Sequence, residues 1–258
     1  MRDCPAGAAG YDFCWAQILG GCRGGPSKEH VISDGILEFF SDLTILGLPW
    51  CRTEPKHVGP ASLVARNLCV AHNSQLSGTD AAAILLFRAL HNQSDPQAPA
   101  TGEVIAVRGS ELERWFLKTS INFMLQERTL PSFPYRSESG RVPVELVRLA
   151  FGLDVLAAPL GLYWRGDVGQ KLIPAVRFDF ASLLVHDDTV GGFGWSFREH
   201  SFVYWFHPSE RLAVFFPDRP AVFAGEPSSG LVHRVQRFNL TRLRETVCVV
   251  SFDWSGAS

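Results

Sequence analysis

EHVI at residues 29–32 and LCVAHNS at residues 68–74 are the two stretches from which the fold of the N-terminal part of the chain is predicted. The second stretch places Cys69 and His72 two residues apart, and two ligands at this spacing can hold one zinc ion from a tight turn. The first stretch contains a carboxylate next to an imidazole. The sequence predicts that the chain folds back between the stretches to form one metal-binding unit.

A zinc site of this kind needs a second pair of ligands. Cys14 and Cys22 are the upstream donors, although seven residues separate them where two to four are usual. Cys51 is the substitute if one of them is not a ligand. The alternative is that Cys69 is a packed core residue and His72 a surface residue.

The composition and charge of the chain limit the kinds of partner that it can bind. The chain has 258 residues, 46% of them hydrophobic, so it can bury a sizeable core and is not a disordered protein. The formal net charge is -2 and the pI about 6.4. Residues 1–90 carry seven Lys or Arg against eight Asp or Glu. Binding to a polyanion would therefore need a local basic patch or a metal ion.

The start of the chain, MRDCP, lacks the pattern of a secretory signal, and no stretch reaches the roughly 18 apolar residues of a membrane span. We therefore expect a soluble, cytoplasmic protein whose cysteines stay reduced. Five of the six cysteines lie in the first 69 residues. This crowding favours a metal site over disulfides.

The expected domain organisation is a first unit at residues 1–95, a linker at residues 96–103 and a second unit at residues 104–258. In the first unit we expect a short extended piece ending near residue 32, a short helix at residues 35–43, a strand at residues 63–70, and a helix that follows Ser77. Thr79 is the expected N-cap of that last helix, with Asp80 in its first turn.

The second unit is expected to contain two helices backing an antiparallel sheet. Ser110 and Glu113 form a capping-box pattern before an apolar helix, and a second helix is expected at residues 143–156. Short aromatic runs follow, and some alternate apolar with polar residues as half-buried strands do. The overall fold class is α+β. Rings such as Trp164, Trp195 and Phe238 are candidates for stacking on single-stranded nucleic acid, although most are expected to fill the sheet core.

These residues together resemble the HNH (His-Asn-His) endonuclease family over residues 11 to about 90. The resemblance rests on the order Cys14, Cys22, Glu29-His30, Cys69-Val70-Ala71-His72-Asn73 and Asp80. In that family a zinc knuckle often joins a hairpin and a helix into a ββα-metal unit, which is treble-clef-like. The resemblance implies this arrangement for residues 1–95.

Carried over residue by residue, the resemblance implies that His30 is the general base, that Glu29 helps to bind a catalytic divalent ion, and that Asn73 orients the base. The chain departs from the pattern at two places. His72 stands where a cysteine is more usual, and the final histidine of the motif is missing. Asp80 is the candidate that replaces it, unless it only caps the helix.

The expected function is a metal-dependent endonuclease that hydrolyses phosphodiester bonds. Glu29 and Asp80 would hold Mg²⁺ or Mn²⁺ while His30 deprotonates a water. A separate structural zinc would be held by Cys14, Cys22, Cys69 and His72. The expected partner is nucleic acid, with DNA preferred; no membrane contact is expected, and a protein partner or homo-oligomer stays open. The second unit would select the substrate or partner.

The alternative is a noncatalytic, zinc-stabilised module that is derived from a nuclease fold and binds nucleic acid or protein. His30 would then be a hydrogen-bonded structural histidine. Both hypotheses include the zinc ion, so metal content alone does not separate them.

Overall fold

The computed structural model describes residues 10–39, 43–45, 54, 56–59, 63–126, 142–158, 160–165, 180–186, 189–197, 200–205, 232–243 and 245–255. Within these ranges the chain is a mixed α+β protein with five α-helices and three sheets. Among the helices described there, none is long and apolar enough to cross a membrane.

The N-terminal elements begin with a 3₁₀ turn and alternate short strands with helices. In chain order they are the 3₁₀ turn Gln17–Leu19, β1 (Glu29–His30), α1 (Asp34–Leu37), β2 (Leu43–Ile45), β3 (Lys56–Val58), β4 (Val64–Ala65), α2 (Val70–Gln75) and α3 (Ser77–Ser94). β1 pairs antiparallel with β4, placing Glu29 opposite Ala65 and His30 opposite Val64. We call this two-stranded sheet the β1–β4 hairpin, although α1, β2 and β3 lie between its strands in the sequence. The chain thus folds back between its two motif stretches, as predicted.

Several predicted boundaries in this part are wrong. The helix expected at residues 35–43 ends at Leu37, and β2 begins at Leu43. The strand expected at residues 63–70 is two residues long, because Cys69 already caps α2. The Thr79 hydroxyl does not cap α3 but donates to the Leu76 carbonyl at 2.6 Å. Asp80 does lie in the first turn of α3.

The remaining elements are two further helices and eight strands in the described part of the chain. They are β5 (Glu103–Arg108), α4 (Gly109–Gln126), α5 (Val144–Ala150), β6 (Gly161–Arg165), β7 (Phe180–His186), β8 (Thr189–Phe197), β9 (His200–Trp205), β10 (Val232–His233), β11 (Arg237–Arg242) and β12 (Glu245–Asp253). Both helices expected here exist, although α5 is shorter than predicted.

Two of the three sheets are mixed, which corrects the prediction of an antiparallel sheet in the second unit. A seven-stranded sheet has the order β10-β6-β9-β8-β7-β2-β3, and a three-stranded sheet has the order β11-β12-β5. β2 pairs parallel with β7, and β12 pairs parallel with β5. These pairs join strands that are far apart in sequence, so the turn and alternation patterns of single strands could not reveal them.

One hydrophobic core contains side chains from both predicted units. Helices α3 and α4 pack together there, and the ring of Phe87 lies 5.6 Å from that of Trp115 and 6.5 Å from that of Phe202. The Trp164 and Phe238 rings, which were candidates for stacking on bases, stack on each other at 4.4 Å. The boundary at residues 96–103 stays a prediction, but the described residues on its two sides pack together and β5 begins inside it, at Glu103.

Candidate metal centre and buried ion cluster

Cys14, Cys22, Cys69 and His72 come together in the fold, and we call them the thiol–imidazole cluster. Their four ligand atoms all lie within 4.8 Å of one another. Nδ1 of His72 is 3.3 Å from Sγ of Cys14, 3.5 Å from Sγ of Cys22 and 3.3 Å from Sγ of Cys69. A tetrahedral zinc ion with Zn–S of about 2.3 Å and Zn–N of about 2.0 Å separates its ligand atoms by roughly 3.5 Å. The cluster could therefore hold a metal ion such as zinc.

Local structure explains why these side chains converge. Cys69 is the N-cap of α2, and its Sγ accepts a hydrogen bond from the backbone N–H of His72 at 3.5 Å. The loop that carries Cys22 is tied to the same helix, because the N–H of Ala71 donates to the carbonyl of Arg23 at 3.1 Å. The two pairs of ligands thus meet at the start of α2.

The electrostatics of the cluster favour a bound cation. Burial raises the pKa of the Cys14 and Cys22 thiols, and the neighbouring thiols raise that of Cys22 further. Burial also acts to raise the pKa of Cys69, but hydrogen bonds that include the His72 N–H outweigh it and the net pKa is lowered. A divalent ion would offset the repulsion among several thiolates.

The imidazole of His72 is in the form that a metal ion requires. Burial lowers its pKa, although a hydrogen bond to the Gly20 backbone opposes that shift, so the neutral ring is favoured. A metal-binding histidine ordinarily uses its other nitrogen for such a bond. The four ligands assigned from the sequence are thus the ones that meet; Cys51, the substitute, lies outside the described residues.

Glu29 and Asp80, which were predicted to hold a divalent ion, instead contact the ammonium group of Lys118. We call these three residues the carboxylate–ammonium cluster. Nζ of Lys118 donates to both Asp80 carboxylate oxygens at 3.0 Å and forms an ion pair with Oε1 of Glu29. The Lys118 side chain is 2% exposed, that of Glu29 5% and that of Asp80 25%. A side-chain cation therefore lies where a metal ion was expected.

Three further side chains complete this cluster with hydrogen bonds. Ser33 Oγ donates to Asp80 Oδ1 and accepts a bond from Nε1 of Trp115 at 2.7 Å. Asn73, with its amide nitrogen facing Glu29, donates to the two carboxylate oxygens at 2.7 and 3.0 Å. Asn73 was expected to orient His30, but its described contacts are with Glu29.

Burial and charge act in opposite directions on the buried pair. Burial lowers the pKa of Lys118, but the charges of Glu29 and Asp80 more than offset this and the pKa is raised. Burial raises the pKa of Glu29, and Lys118 opposes that shift only in part, so the net pKa is raised. The two bonds from Asn73 further favour the ionised carboxylate. Lys118 is therefore an ammonium ion at neutral pH.

His30 lies on a different side of the hairpin from Glu29. Adjacent residues of a strand point to opposite faces, and Glu29 is buried whereas His30 is partly exposed. Nδ1 of His30 lies 3.6 Å from Oδ1 of Asp34, whose side chain is 71% exposed. The fold brings Glu29, Asn73 and Asp80 together around Lys118, while the described ion-pair partner of His30 is Asp34.

Lys118, Ser33 and Trp115 are site residues that were not predicted from the sequence. A usable signal existed at Lys118, because it lies inside a predicted apolar helix and is followed by Thr119 and Ser120. All three are buried at 2% exposure or less. A lysine in such a helix must find an acidic partner if it is buried. Which carboxylates it meets depends on the packing of α4 against the hairpin.

The outward face of the β1–β4 hairpin carries exposed basic residues. Lys28 directly precedes Glu29, and Arg66 directly follows Ala65, the strand partner of Glu29. Both cations are exposed, as is Arg23 in the neighbouring loop. Lys28 and Arg66 therefore flank the same end of the hairpin, and His30 lies next along the outward face.

A cavity of about 230 Å³ opens between the start of α4 and the segment after α5. Among the charges that line it, Glu113 pairs with Arg234 at 3.0 Å and Glu111 pairs with Arg114 at 3.0 Å. These charges neutralise one another, so the cavity does not indicate a particular ligand. It contains none of the predicted site residues.

The chain's function must be argued from these side chains. Comparison with protein-family models, with curated proteins and with solved structures gives no match.

Proposed function

We propose that this protein is a noncatalytic, zinc-stabilised module that binds nucleic acid through its β1–β4 hairpin. The observation that carries the proposal is the ammonium of Lys118 between Glu29 and Asp80. It takes the position in which a hydrolytic site would hold its divalent ion.

The thiol–imidazole cluster supports a structural rather than a catalytic zinc. Structural zinc sites are closed by four protein ligands, whereas catalytic sites leave one position for water or substrate. Three thiols and one imidazole supply four ligands. Three of the four residues are buried, which limits the access of a substrate to the ion. The zinc would join the loop before β1 to the start of α2.

A divalent ion would have to displace Lys118 from the second cluster. Mg²⁺ needs an octahedral set of ligands at about 2.0–2.1 Å and usually keeps several waters. The side chains of Lys118 and Glu29 are almost fully buried, and the ammonium group contacts both carboxylates directly. Moving the ammonium would leave a buried charge without its partners, which is costly. The packing therefore opposes catalysis by a metal ion here.

Charge on the hairpin supports nucleic acid as the partner. With a net charge of -2 the whole chain does not attract polyanions. Lys28 and Arg66 are nevertheless exposed at one end of the hairpin, and Arg23 is exposed in the loop that precedes β1. Lysine and arginine at such positions bind phosphates without reading the bases. We expect moderate, salt-dependent binding with little sequence preference.

The test combines binding and cleavage. Fluorescence anisotropy with labelled DNA and RNA is expected to detect binding that weakens as salt rises. Plasmid DNA and RNA incubated with zinc-loaded protein and Mg²⁺ or Mn²⁺ are expected to remain intact. Divalent-ion-dependent cleavage that His30→Ala abolishes would contradict the proposal.

An HNH-type endonuclease is the second candidate, favoured by one specific observation. Glu29, Asn73 and Asp80 are far apart in sequence, yet all three belong to one hydrogen-bonded group around Lys118. In this hypothesis Lys118 leaves when Mg²⁺ or Mn²⁺ binds, Glu29 and Asp80 hold the ion, and His30 is the base. The same cleavage assay tests it, because activity must then be lost in Glu29→Gln, His30→Ala and Asp80→Asn.

A further inference from the structure

We propose that the thiol–imidazole cluster is a peroxide-sensitive site in which Cys14 and Cys22 form a reversible disulfide and release the zinc ion. The proposal rests on the zinc centre proposed above. It adds a modification and a means of control to a site that would otherwise be purely structural.

Solvent access singles out Cys22 as the thiol that reacts first. Cys14 and Cys69 are 0% exposed and His72 is 2% exposed, whereas Cys22 is only half-buried. A small oxidant can therefore reach Cys22 while the other three ligands are shielded. Oxidation of thiolates is selective for accessible sites of this kind.

Cys22 needs only a short movement to reach Cys14, because their Sγ atoms lie within 4.8 Å of each other. Gly20 and Gly21 precede it with φ of +73° and +72°, a region that favours glycine. A Cβ placed on Gly21 would meet nothing within 4 Å, so the loop is open on that side. Because the Arg23 carbonyl is bonded to the Ala71 N–H of α2, we expect the movement on the glycine side of Cys22.

Cys14 is the partner that the structure favours for Cys22. The two residues belong to one short segment, so joining them closes a small loop. Cys69 is held differently, because it caps α2 and its Sγ accepts the His72 N–H. Pairing Cys22 with Cys69 would disrupt that cap, whereas pairing it with Cys14 leaves the cap intact.

The chemistry balances with hydrogen peroxide as the oxidant. The Cys22 thiolate attacks one oxygen of the peroxide, the O–O bond breaks, and a sulfenic acid and a hydroxide ion form. The Cys14 thiolate then attacks that sulfur and displaces a second hydroxide, which forms the S–S bond. Two electrons pass from the two sulfurs to one peroxide, and the zinc ion leaves for water with two of its ligands lost.

Loss of the zinc ion would also weaken the carboxylate–ammonium cluster, because α2 carries residues that contact both clusters. His72 and Asn73 are adjacent in this six-residue helix, and Asn73 donates to Glu29. Once the zinc no longer anchors the start of α2, the bonds from Asn73 to Glu29 weaken as well. Oxidation would thus loosen the hairpin on which the basic residues lie.

The experiment uses the full chain with Cys4, Cys51 and Cys248 replaced by serine, so that only the three clustered thiols remain. Zinc is measured with a chromogenic chelator before and after hydrogen peroxide, and peptides are mapped by mass spectrometry without reduction. We expect one zinc per chain before treatment, loss of that zinc with peroxide, a Cys14–Cys22 linked peptide, and recovery with a dithiol and added zinc.

Cys22→His in the same background is the matched variant, because it keeps four zinc ligands but removes the accessible thiol. It should retain its zinc under the dose that empties the parent. Zinc that stays bound in the parent, a bridge to Cys69, or equal loss from Cys22→His would overturn the proposal. Protein that contains no zinc before treatment would instead contradict the zinc centre itself, so the two failures are distinguishable.

Discussion

The thiol–imidazole cluster and the carboxylate–ammonium cluster are neighbours that differ in their source of positive charge. The first gathers three thiols and an imidazole, and in the described part of the chain none of their side-chain hydrogen bonds comes from a lysine or arginine. The second gathers two carboxylates around the buried ammonium of Lys118. Thiols or carboxylates that the fold brings together therefore indicate a metal site only where no side-chain cation of the chain already neutralises them.

The largest effect is expected from removing a ligand of the first cluster. Cys69→Ser should lose zinc and unfold the N-terminal unit, since apparent binding energies of structural zinc reach about 10–16 kcal/mol in zinc-finger peptides. Zinc content and circular dichroism on heating measure this. Cys248→Ser is the control, a buried thiol in β12 outside the cluster, and should cost only about 1 kcal/mol. Equal losses of thermal stability in Cys69→Ser and Cys248→Ser would mean that the cluster holds no structural ion.

The second cluster should respond to loss of its cation. Lys118→Met leaves Glu29 and Asp80 without their shared partner, and we expect a loss of about 3–5 kcal/mol in the free energy of unfolding. Denaturant unfolding of the zinc-loaded protein measures it. Lys28→Met removes an exposed lysine and should change stability by less than about 0.5 kcal/mol.

Lys118→Met also tests whether the ammonium group excludes a metal ion from the second cluster. With Lys118 gone, the two carboxylates lack a cation and should accept Mn²⁺, which would raise the melting temperature of Lys118→Met but not that of the wild type. A rise in the wild type as large as in the variant would show that the ammonium does not exclude the ion.

A smaller effect depends on pH. The pKa of Lys118 is raised by Glu29 and Asp80 in the folded state, so its contribution is complete below the unfolded value of about 10.4 and is lost as pH rises through the folded pKa. The wild type should be more stable than Asp80→Asn by about 1.5–3 kcal/mol at pH 8. This difference in the free energy of unfolding should shrink above about pH 10.4, where Lys118 loses its proton first in the unfolded state and then in the folded state. Asp34→Asn, at a more exposed carboxylate, should produce no such gap.

The smallest effect concerns the hairpin surface. Replacing Lys28 and Arg66 by alanine should weaken nucleic-acid binding similarly for all sequences. The slope of log affinity against log salt should fall by about 1 for each phosphate that the protein no longer neutralises. Arg237→Ala, an exposed arginine on β11, is the control and should change neither quantity. Anisotropy titrations at several salt concentrations decide between these outcomes.

Local spacing allowed one pair of the thiol–imidazole cluster, Cys69 and His72, to be predicted from the sequence, whereas the second cluster depends on packing that the sequence does not reveal. Cys69 and His72 lie on one helical turn, and their spacing alone signals a shared ion. The carboxylates were also identified correctly as neighbours, since Glu29 and Asp80 do share a cation. Its identity could not be predicted, because Lys118 comes from α4 and reaches them only when that helix packs against α3 and the hairpin. The parallel strand pairs were missed for the same reason.

Crystals of the zinc-loaded protein soaked in Mn²⁺ would show which cation each cluster holds, with anomalous scattering recorded at the zinc edge and at an energy selective for manganese. We predict one zinc peak among Cys14, Cys22, Cys69 and His72, and no manganese between Glu29 and Asp80, where Lys118 remains. A manganese peak between those carboxylates with Lys118 displaced, or no zinc peak among the thiols, would contradict these cation assignments.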